Sequence, residues 1–286
     1  MKTLMKKFIN GAMPILSMHT ERVENRPDVV LVLPFGTELE AANSFIASLD
    51  QTCNLYTWQS RHILDDNDEL QVQALTMASH AADLEQLIDE YALHEPVIVG
   101  YCSGAAVALH FAARSDNYQA LFLVFGEYAL AERSKEYEVP AHYFEVDTLL
   151  RMAAKSRAFS TMLSDKMSGA GFASQVADEA RFFNKPYFNE LYLHRYALNY
   201  LDFVSHDYLD DAKQLDKHVY VYCSDEDKHV GTDTSVVISN ALKNSTLVKG
   251  KYGDHYAFCR PETGILQKLK KDISHEISSR ECLHAV

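Results

Sequence analysis

One short stretch of the chain carries a cysteine whose surroundings suit a nucleophile. Residues 97–111 read VIVGYCSGAAVALHF, with Gly100 and Gly104 each two positions from Cys102. The apolar run at the start predicts a buried strand, and the alanine-rich end predicts a helix. Glycines suit both sides of such a turn because a side chain there would collide with the turn or hold the helix off the sheet. The pattern predicts a strand, a tight turn and a helix, with the Cys102 thiol at the apex, where it could perform covalent catalysis.

This Gly-x-Cys-x-Gly segment resembles the nucleophile elbow of the α/β-hydrolase superfamily, with sulfur in place of oxygen. Members with a cysteine elbow include dienelactone hydrolases, polyhydroxyalkanoate synthases and some thioesterases that release thiotemplate products. The resemblance implies an α/β fold with a mostly parallel central sheet, flanking helices and a helical lid insertion. It also implies a triad in the chain order nucleophile, acid, histidine, and a mechanism that needs no cofactor or metal.

Two later loops match the remaining triad positions of the family. A predicted strand HVYVYC runs into SDEDKHVG, where Asp227 occupies the position of the acid. Asp225 and Glu226 stay open as neighbours, and Glu127 is an alternative acid because some relatives carry the acid after the preceding strand. The segment KYGDHYAF places His255 at the position of the catalytic histidine. Solvated or structural roles are expected for the other histidines, including His218, His229 and His275.

The same resemblance implies an oxyanion hole made of backbone N–H groups, which stabilise the charge that develops on the substrate carbonyl. One donor is expected from Ser103, directly after the nucleophile. The second is expected from the loop after the first strong strand. That loop reads PFGT here instead of the usual His-Gly, so Phe35 and Gly36 are both candidates.

A sulfur nucleophile restricts the substrates that suit the site. A thiolate forms readily beside a histidine at a helix N-terminus, but it leaves the tetrahedral adduct of an oxygen ester more easily than the alkoxide does. With a thioester the two leaving groups are matched. We therefore expect an acyl-thioester hydrolase or acyltransferase that forms acyl-Cys102 from a CoA- or carrier-protein-bound acyl group, with polyketide or nonribosomal metabolism as a setting. The alternatives are a dienelactone-type hydrolase of activated esters or lactones, and a noncatalytic ligand-binding protein of the same fold.

The rest of the chain predicts elements that could position these residues. Strands alternate with helices, which indicates a parallel sheet. A capping box of Asp68 and Gln71 predicts a helix over 69–93, and no strong element is predicted before residue 29. Besides the strand that leads into Cys102, the predicted strands are 29–33, 54–58, 121–125, 218–223 and 245–250.

The strand pattern stops between two blocks of the chain. We predict a core of residues 1–126 and 217–286 and a helical lid insertion of residues 127–216 that is rich in Phe and Tyr. Some of these aromatic side chains should line an acyl pocket. The insertion also carries basic side chains that could meet a phosphopantetheine phosphate or an acidic carrier protein, namely Arg151, Lys155 and Arg157.

Composition excludes several classes of function. The 286 residues carry a formal net charge of −13, which argues against a nucleic-acid surface. No apolar run is long enough to span a bilayer, and the N-terminal residues lack a convincing signal-peptide cleavage site. The five cysteines are odd in number and have no metal-ligand spacing, which favours a reducing, cytoplasmic location.

Overall fold

A computed structural model describes residues 3–11, 13–130, 141–168 and 180–284, so parts of the predicted insertion lie outside the described residues. Eight strands form one sheet. They are β1 Thr3–Asn10, β2 Met13–Thr20, β3 Asp28–Val32, β4 Asn54–Trp58, β5 Val97–Tyr101, β6 Leu121–Val124, β7 Val219–Ser224 and β8 Ser245–Gly250. The strand order is β1-β2-β4-β3-β5-β6-β7-β8, and β2 runs antiparallel to β1 and β4 whereas all other neighbours are parallel.

Helices connect and cover the strands. They are α1 Asn43–Leu49, α2 Met77–Glu90, α3 Ser103–Ala112, α4 Ala141–Lys155, α5 Arg157–Ser168, α6 Arg181–Asn184, α7 Glu190–Ser205, α8 Tyr208–Gln214, α9 Asp233–Ala241 and α10 Gly264–His284. Short 3-10 turns occur at Leu39–Ala42, Val72–Ala74, Lys185–Phe188 and His255–Cys259. None of the described helices is both long enough and apolar enough to cross a bilayer.

The central strands β3, β4, β5 and β6 are buried on both faces, as the middle of a parallel sheet requires. Alternate residues of β3 show the division: Val30 and Val32 pack into the layer that contains α2, α3 and α9, whereas Val29 and Leu31 pack into the layer that contains α1 and α10. This arrangement confirms the predicted α/β-hydrolase fold with its mostly parallel sheet. The predicted strands are also confirmed. The bounds of 54–58 and 245–250 match the prediction, and those of 29–33, 121–125 and 218–223 shift by one residue.

The predicted helix over 69–93 begins later than expected. Helix α2 starts at Met77, and its N-cap is Thr76, whose Oγ1 accepts from the Ser79 amide at 3.1 Å. The capping box of Asp68 and Gln71 is therefore wrong.

Buried Arg195 from α7 explains this late start. Its guanidinium donates to the carbonyls of His62 and Glu69, at 3.1 and 2.9 Å, and also to those of Asp65 and Asn67. Because these carbonyls accept hydrogen bonds from Arg195, residues 62–69 remain in a loop. A side chain more than 120 residues away thus overrides the local helix signal.

The first 20 residues hold an element that the sequence did not predict. Strands β1 and β2 form an antiparallel hairpin at the edge of the sheet, with Thr3 opposite Thr20 and Asn10 opposite Met13. Most β1 side chains are exposed, so the strand lacks the apolar run that marks the central strands.

The described helices between β6 and β7 fall into two groups. Helices α4, α5 and α7 pack against one another above the carboxyl ends of the strands, whereas α8 packs against α3 and α9 of the core. Residues 131–140 and 169–179 lie outside the described residues, so the domain boundaries at 127 and 216 stay a prediction.

Candidate active site

The turn at Cys102 has the backbone that the sequence predicts. Cys102 has φ +53° and ψ −127°, a left-handed conformation that costs a non-glycine residue free energy and concentrates at functional sites. A Cβ at Gly100 would lie 2.6 Å from Ala105 Cα, and one at Gly104 would lie 2.2 Å from the Val32 carbonyl oxygen. Both glycines are therefore required for α3 to approach the sheet while Cys102 stands at the apex.

His255 and Asp227 lie together beside this turn. Asp227 follows β7, and His255 begins the 3-10 turn after β8. His255 Nδ1 lies 2.8 Å from Asp227 Oδ2, and both residues are buried. The Cys102 thiol and the His255 ring line the same cavity, and the thiol is close enough to raise the pKa of the ring. Tyr101 further fixes the position of His255, because its hydroxyl donates to the His255 carbonyl at 2.7 Å.

The charges at this site favour a protonated imidazole. Burial alone would lower the pKa of His255, but attraction to Cys102 and the hydrogen bond with Asp227 raise the pKa to about 10. Burial would raise the pKa of Asp227, and the hydrogen bond with His255 outweighs burial and lowers it. Amides of His229 and Val230 donate to Asp227 Oδ1 at 2.8 and 3.1 Å, which stabilises the carboxylate.

The alternative acids do not hold the His255 ring. Asp225 is exposed and faces Lys249 at 3.4 Å, and the Glu226 carboxylate accepts from the Gly253 amide at 2.9 Å. Glu127 Oε1 accepts from the Ala129 amide at 2.7 Å instead. Asp227 is thus the carboxylate that orients His255 in this structure.

The loop after β3 distinguishes between the two candidate oxyanion donors. The Gly36 amide donates to Ser60 Oγ at 2.7 Å and is therefore already used. The amides of Phe35 and Ser103 have no acceptor among the described residues. Gly36 serves a steric purpose: it has φ +72°, and a Cβ there would lie 2.7 Å from the Tyr196 ring.

A cavity of about 150 Å³ opens from Cys102 and His255. Its walls come from three sources: the loop after β3, the loops that carry Cys102, His229 and His255, and helices α4, α6 and α7 with the turn before α7. Aromatic rings dominate the helical wall, as the sequence predicts for an acyl pocket. They are Tyr143 from α4, Phe183 from α6, Tyr187, and Tyr196, Tyr200 and Phe203 from α7.

His229 was assigned a solvated or structural role from the sequence, and the structure places it at the pocket. Its ring centroid lies 4.8 Å from that of His255, and its side chain lines the cavity while remaining exposed. One sequence feature indicates this location: His229 lies two residues after Asp227, in a loop that must approach His255.

Two of the three basic residues considered for phosphate binding are already paired with acids. Arg151 Nε lies 2.9 Å from Asp147, and Arg157 bridges Asp68 and Glu190 at 2.6 and 2.8 Å. These contacts favour ion pairs within the chain over phosphate binding by Arg151 and Arg157.

A second cluster of polar side chains lies at the base of α7 and α8. His110 Nδ1 and His206 Nε2 lie 2.8 and 2.6 Å from Asp211 Oδ2, a donor set that could hold a metal ion. Arg114 already supplies a cation there, 3.0 Å from Asp211 Oδ1. The hydrogen bonds with both histidines lower the pKa of Asp211 despite its burial. We assign the cluster as a hydrogen-bond network that joins α3 to α8.

Comparison with known proteins shows the same fold. Residues 56–259 match the family model described as alpha/beta hydrolase fold. A bromoperoxidase from Bacillus anthracis is 14% identical with a TM-score of 0.69, over 97% of this chain and 100% of that one. A putative lipase from Acinetobacter baumannii is 12% identical with a TM-score of 0.70, over 97% and 93%.

A third structure of similar fold is 2-hydroxy-6-oxo-6-phenylhexa-2,4-dienoate hydrolase from Rhodococcus sp. strain RHA1. It is 14% identical with a TM-score of 0.70, over 97% of this chain and 99% of that one. Identities this low show the shared fold and not a shared substrate. The search of curated proteins found no match.

Proposed function

We propose that this chain, which belongs to the α/β-hydrolase fold family, is an acyl-thioester hydrolase or acyltransferase. Its catalytic triad would consist of Cys102, His255 and Asp227. The observation that carries the proposal is the contact between the Cys102 thiol at a strained turn and a His255 ring held by Asp227. The partner is a small acyl thioester of coenzyme A or of a carrier protein.

The first half-reaction transfers the acyl group to sulfur. The Cys102 thiolate attacks the thioester carbonyl carbon and forms a C–S bond, while the carbonyl π electrons move to oxygen. Amides of Ser103 and Phe35 would donate to this oxyanion. When the carbonyl re-forms, the bond to the substrate sulfur breaks. Because Asp227 holds Nδ1, Nε2 of His255 is the nitrogen that gives its proton to the departing thiolate.

The second half-reaction releases the acyl group to an acceptor. Neutral His255 removes a proton from water, an alcohol, an amine or a thiol, and the acceptor attacks the acyl-Cys102 carbonyl. Collapse of the second oxyanion breaks the bond to Cys102 and regenerates the thiolate beside the imidazolium of His255. The thioester intermediate is more reactive toward amines and thiols than an oxyester, so acyl transfer can compete with hydrolysis.

The contact between Cys102 and His255 bears on the alternatives. A noncatalytic binding protein has no need for a thiol aligned with a buried histidine and aspartate, so this contact argues against that role. A dienelactone-type hydrolase would use the same triad. It is the weaker candidate because those enzymes are compact, whereas this chain adds the aromatic helices α4 to α7 over the site.

Steady-state kinetics with a matched substrate pair would test the proposal. We expect butyryl-S-N-acetylcysteamine to turn over at least about tenfold faster than the oxygen ester of the same acyl group. Cys102→Ser should lose most of the thioester activity. Equal rates with Cys102→Ser and wild type would remove Cys102 from its assigned role, and a preference for the oxygen ester would contradict the thioester assignment.

A further inference from the structure

Glu127 is a carboxyl group in the acyl pocket that the proposed mechanism does not use. It lines the cavity together with Cys102 and His255. Its amide lies 3.2 Å from the Cys102 carbonyl oxygen, so the residue is fixed next to the nucleophile. The triad histidine is held by Asp227 instead. An acid beside the reacting sulfur with no part in the triad is a candidate for contact with the substrate.

Among the described residues that line the cavity, His255 and His229 are the only basic groups, and none is a lysine or arginine. His255 is already paired with Asp227, and the Glu127 carboxyl accepts a hydrogen bond from the Ala129 amide. A half-buried carboxyl in such surroundings gains stability from a cation brought by the ligand.

The rest of the wall suits the same kind of ligand. Tyr187, Tyr196 and Tyr256 line the cavity with Glu127, and aromatic faces attract ammonium groups through their quadrupoles. An anionic acyl group would face Glu127 with no lysine or arginine on this wall to offset the repulsion. Burial raises the pKa of Glu127, although His255 acts in the opposite direction, so an entering cation would also favour the charged carboxylate.

The size of the cavity limits the acyl group. At about 150 Å³ it matches cavities that accommodate benzene, so it suits a group of about six non-hydrogen atoms. Because Glu127 and Cys102 line the same cavity and their backbones are hydrogen-bonded, an ammonium group that reaches the Glu127 carboxyl lies in the cavity that receives the acyl group.

We propose that Glu127 is a specificity-determining residue that selects small, amine-bearing acyl thioesters of the aminoacyl type. This inference rests on the proposed thioester function and names its substrate class. Glu127 would accept hydrogen bonds from the substrate ammonium group, and the tyrosine rings would enclose its remaining surface. Acyl groups with a carboxylate at the same position would be rejected.

Two substrates of one shape separate charge from size, and a third reverses the charge. Alanyl, isobutyryl and methylmalonyl thioesters of N-acetylcysteamine share a CH3–CH–CO unit and carry an ammonium, a methyl and a carboxylate group, respectively, on the central carbon; the alanyl and isobutyryl groups have the same size and shape. The measured quantity is the rate of acyl-enzyme formation by intact-protein mass spectrometry, with spontaneous hydrolysis of each substrate subtracted. We expect alanyl to react at least about tenfold faster than isobutyryl, and methylmalonyl to react slowest.

The variant Glu127→Gln tests whether this carboxyl causes the preference. The ratio of alanyl to isobutyryl rates should fall to about one, whereas Glu85→Gln on the exposed face of α2 should keep the wild-type ratio. The wild-type ratio is informative even where Glu127→Gln folds poorly, because it needs no variant.

The outcomes distinguish this inference from the function on which it rests. If isobutyryl reacts as fast as alanyl, or if Glu127→Gln keeps the preference, the assignment of Glu127 is overturned while the thioester function stands. If none of the three substrates acylates Cys102 in folded wild-type protein, the thioester function fails and the assignment of Glu127 fails with it.

Discussion

The two walls of the pocket are held in place by different interactions. The wall that carries Cys102, Asp227 and His255 consists of loops that follow parallel strands, and the sheet fixes those loops through backbone hydrogen bonds such as Cys102 N–H to the Val124 carbonyl at 3.0 Å. The opposite wall consists of helices, and α7 is joined to the core through buried side chains. These contacts are Arg195 to the 62–69 loop, His80 to Asn199 at 2.6 Å, and the Met77 amide to Asp202 at 2.7 Å.

Because the two walls are held differently, substitutions in them should affect different properties: catalysis in the first wall, and substrate selectivity in the second. Backbone hydrogen bonds are present whatever the side chains are, so the triad loops should keep their geometry through most substitutions. The helical wall depends on a few buried polar groups, and each of them is costly to leave unpaired. We therefore expect substitutions in the first wall to abolish activity without unfolding the protein, and substitutions in the second to change stability and substrate choice.

Removal of the nucleophile should give the largest effect. Cys102→Ala is expected to lower kcat/KM for a thioester by about 10⁵-fold or more, because no acyl-enzyme can form. Cys102 is only partly buried, so the melting temperature should change little. The matched control is Cys53→Ala, which removes a buried thiol outside the site and should keep the activity while lowering the stability.

Loss of the acid should come next. Asp227→Asn is expected to lower kcat/KM by about 10⁴-fold, because Asn cannot stabilise the imidazolium of His255 or hold its tautomer. Asp225→Asn, two residues away in the same loop, changes only an exposed pair with Lys249 and should lower kcat/KM less than twofold. Similar losses in both variants would contradict the assignment of Asp227.

The protonation state of His255 should be visible in solution. Because the pKa of His255 is raised to about 10, its imidazolium persists through neutral pH and is lost only as the pH rises through about 10. The ring chemical shifts of His255 in NMR spectra should therefore change little between pH 6 and pH 8.

The matched variant for this measurement is His255→Ala, which identifies the His255 signals by their loss. A His255 ring that titrates between pH 6 and pH 8 would contradict the raised pKa.

The helical wall should respond to loss of its buried cation. Arg195→Met is expected to lower the free energy of unfolding by about 3 kcal/mol, because four loop carbonyls lose their donor in a buried site. Urea denaturation measures this. Arg151→Met on α4 removes a half-exposed pair with Asp147 and should cost less than about 0.5 kcal/mol. Equal costs would mean that Arg195 does not hold the wall.

A single hydroxyl of the wall should give the smallest effect. Tyr200→Phe removes a hydrogen bond of 2.9 Å to Asp147 while the ring stays in the pocket. A loss of about 1 kcal/mol in unfolding free energy is expected, with a shift in relative rates among acyl groups of about two- to fivefold. An unchanged substrate profile would mean that the hydroxyl contributes to packing alone.

The same difference explains how much the sequence could predict. The proximity of Cys102, Asp227 and His255 was predictable because each lies in a loop after a strand of the parallel sheet, where strand ends meet at one edge, and because these loops resemble those of the α/β-hydrolase superfamily. Phe35 and Gly36 were harder to separate, since the answer depends on Ser60, 24 residues from Gly36.

The elements that the sequence missed depend on distant partners. Helix α2 starts late because Arg195 captures the preceding loop, and no local pattern contains that contact. The β1–β2 hairpin lies at the sheet edge, where exposed side chains remove the apolar signal. The location of His229 at the pocket was not predicted, because it depends on where His255 lies in space.

The most direct test of the central claim is intact-protein mass spectrometry after brief incubation with a panel of acyl thioesters. The triad assignment predicts a mass increase equal to one acyl group, which peptide mapping locates on Cys102. His255→Ala should abolish or strongly slow its formation. Release of the acyl group by water, or by an added amine or alcohol, would then identify the acceptor. Folded wild-type protein that forms no adduct on Cys102 and turns over no thioester would contradict the account.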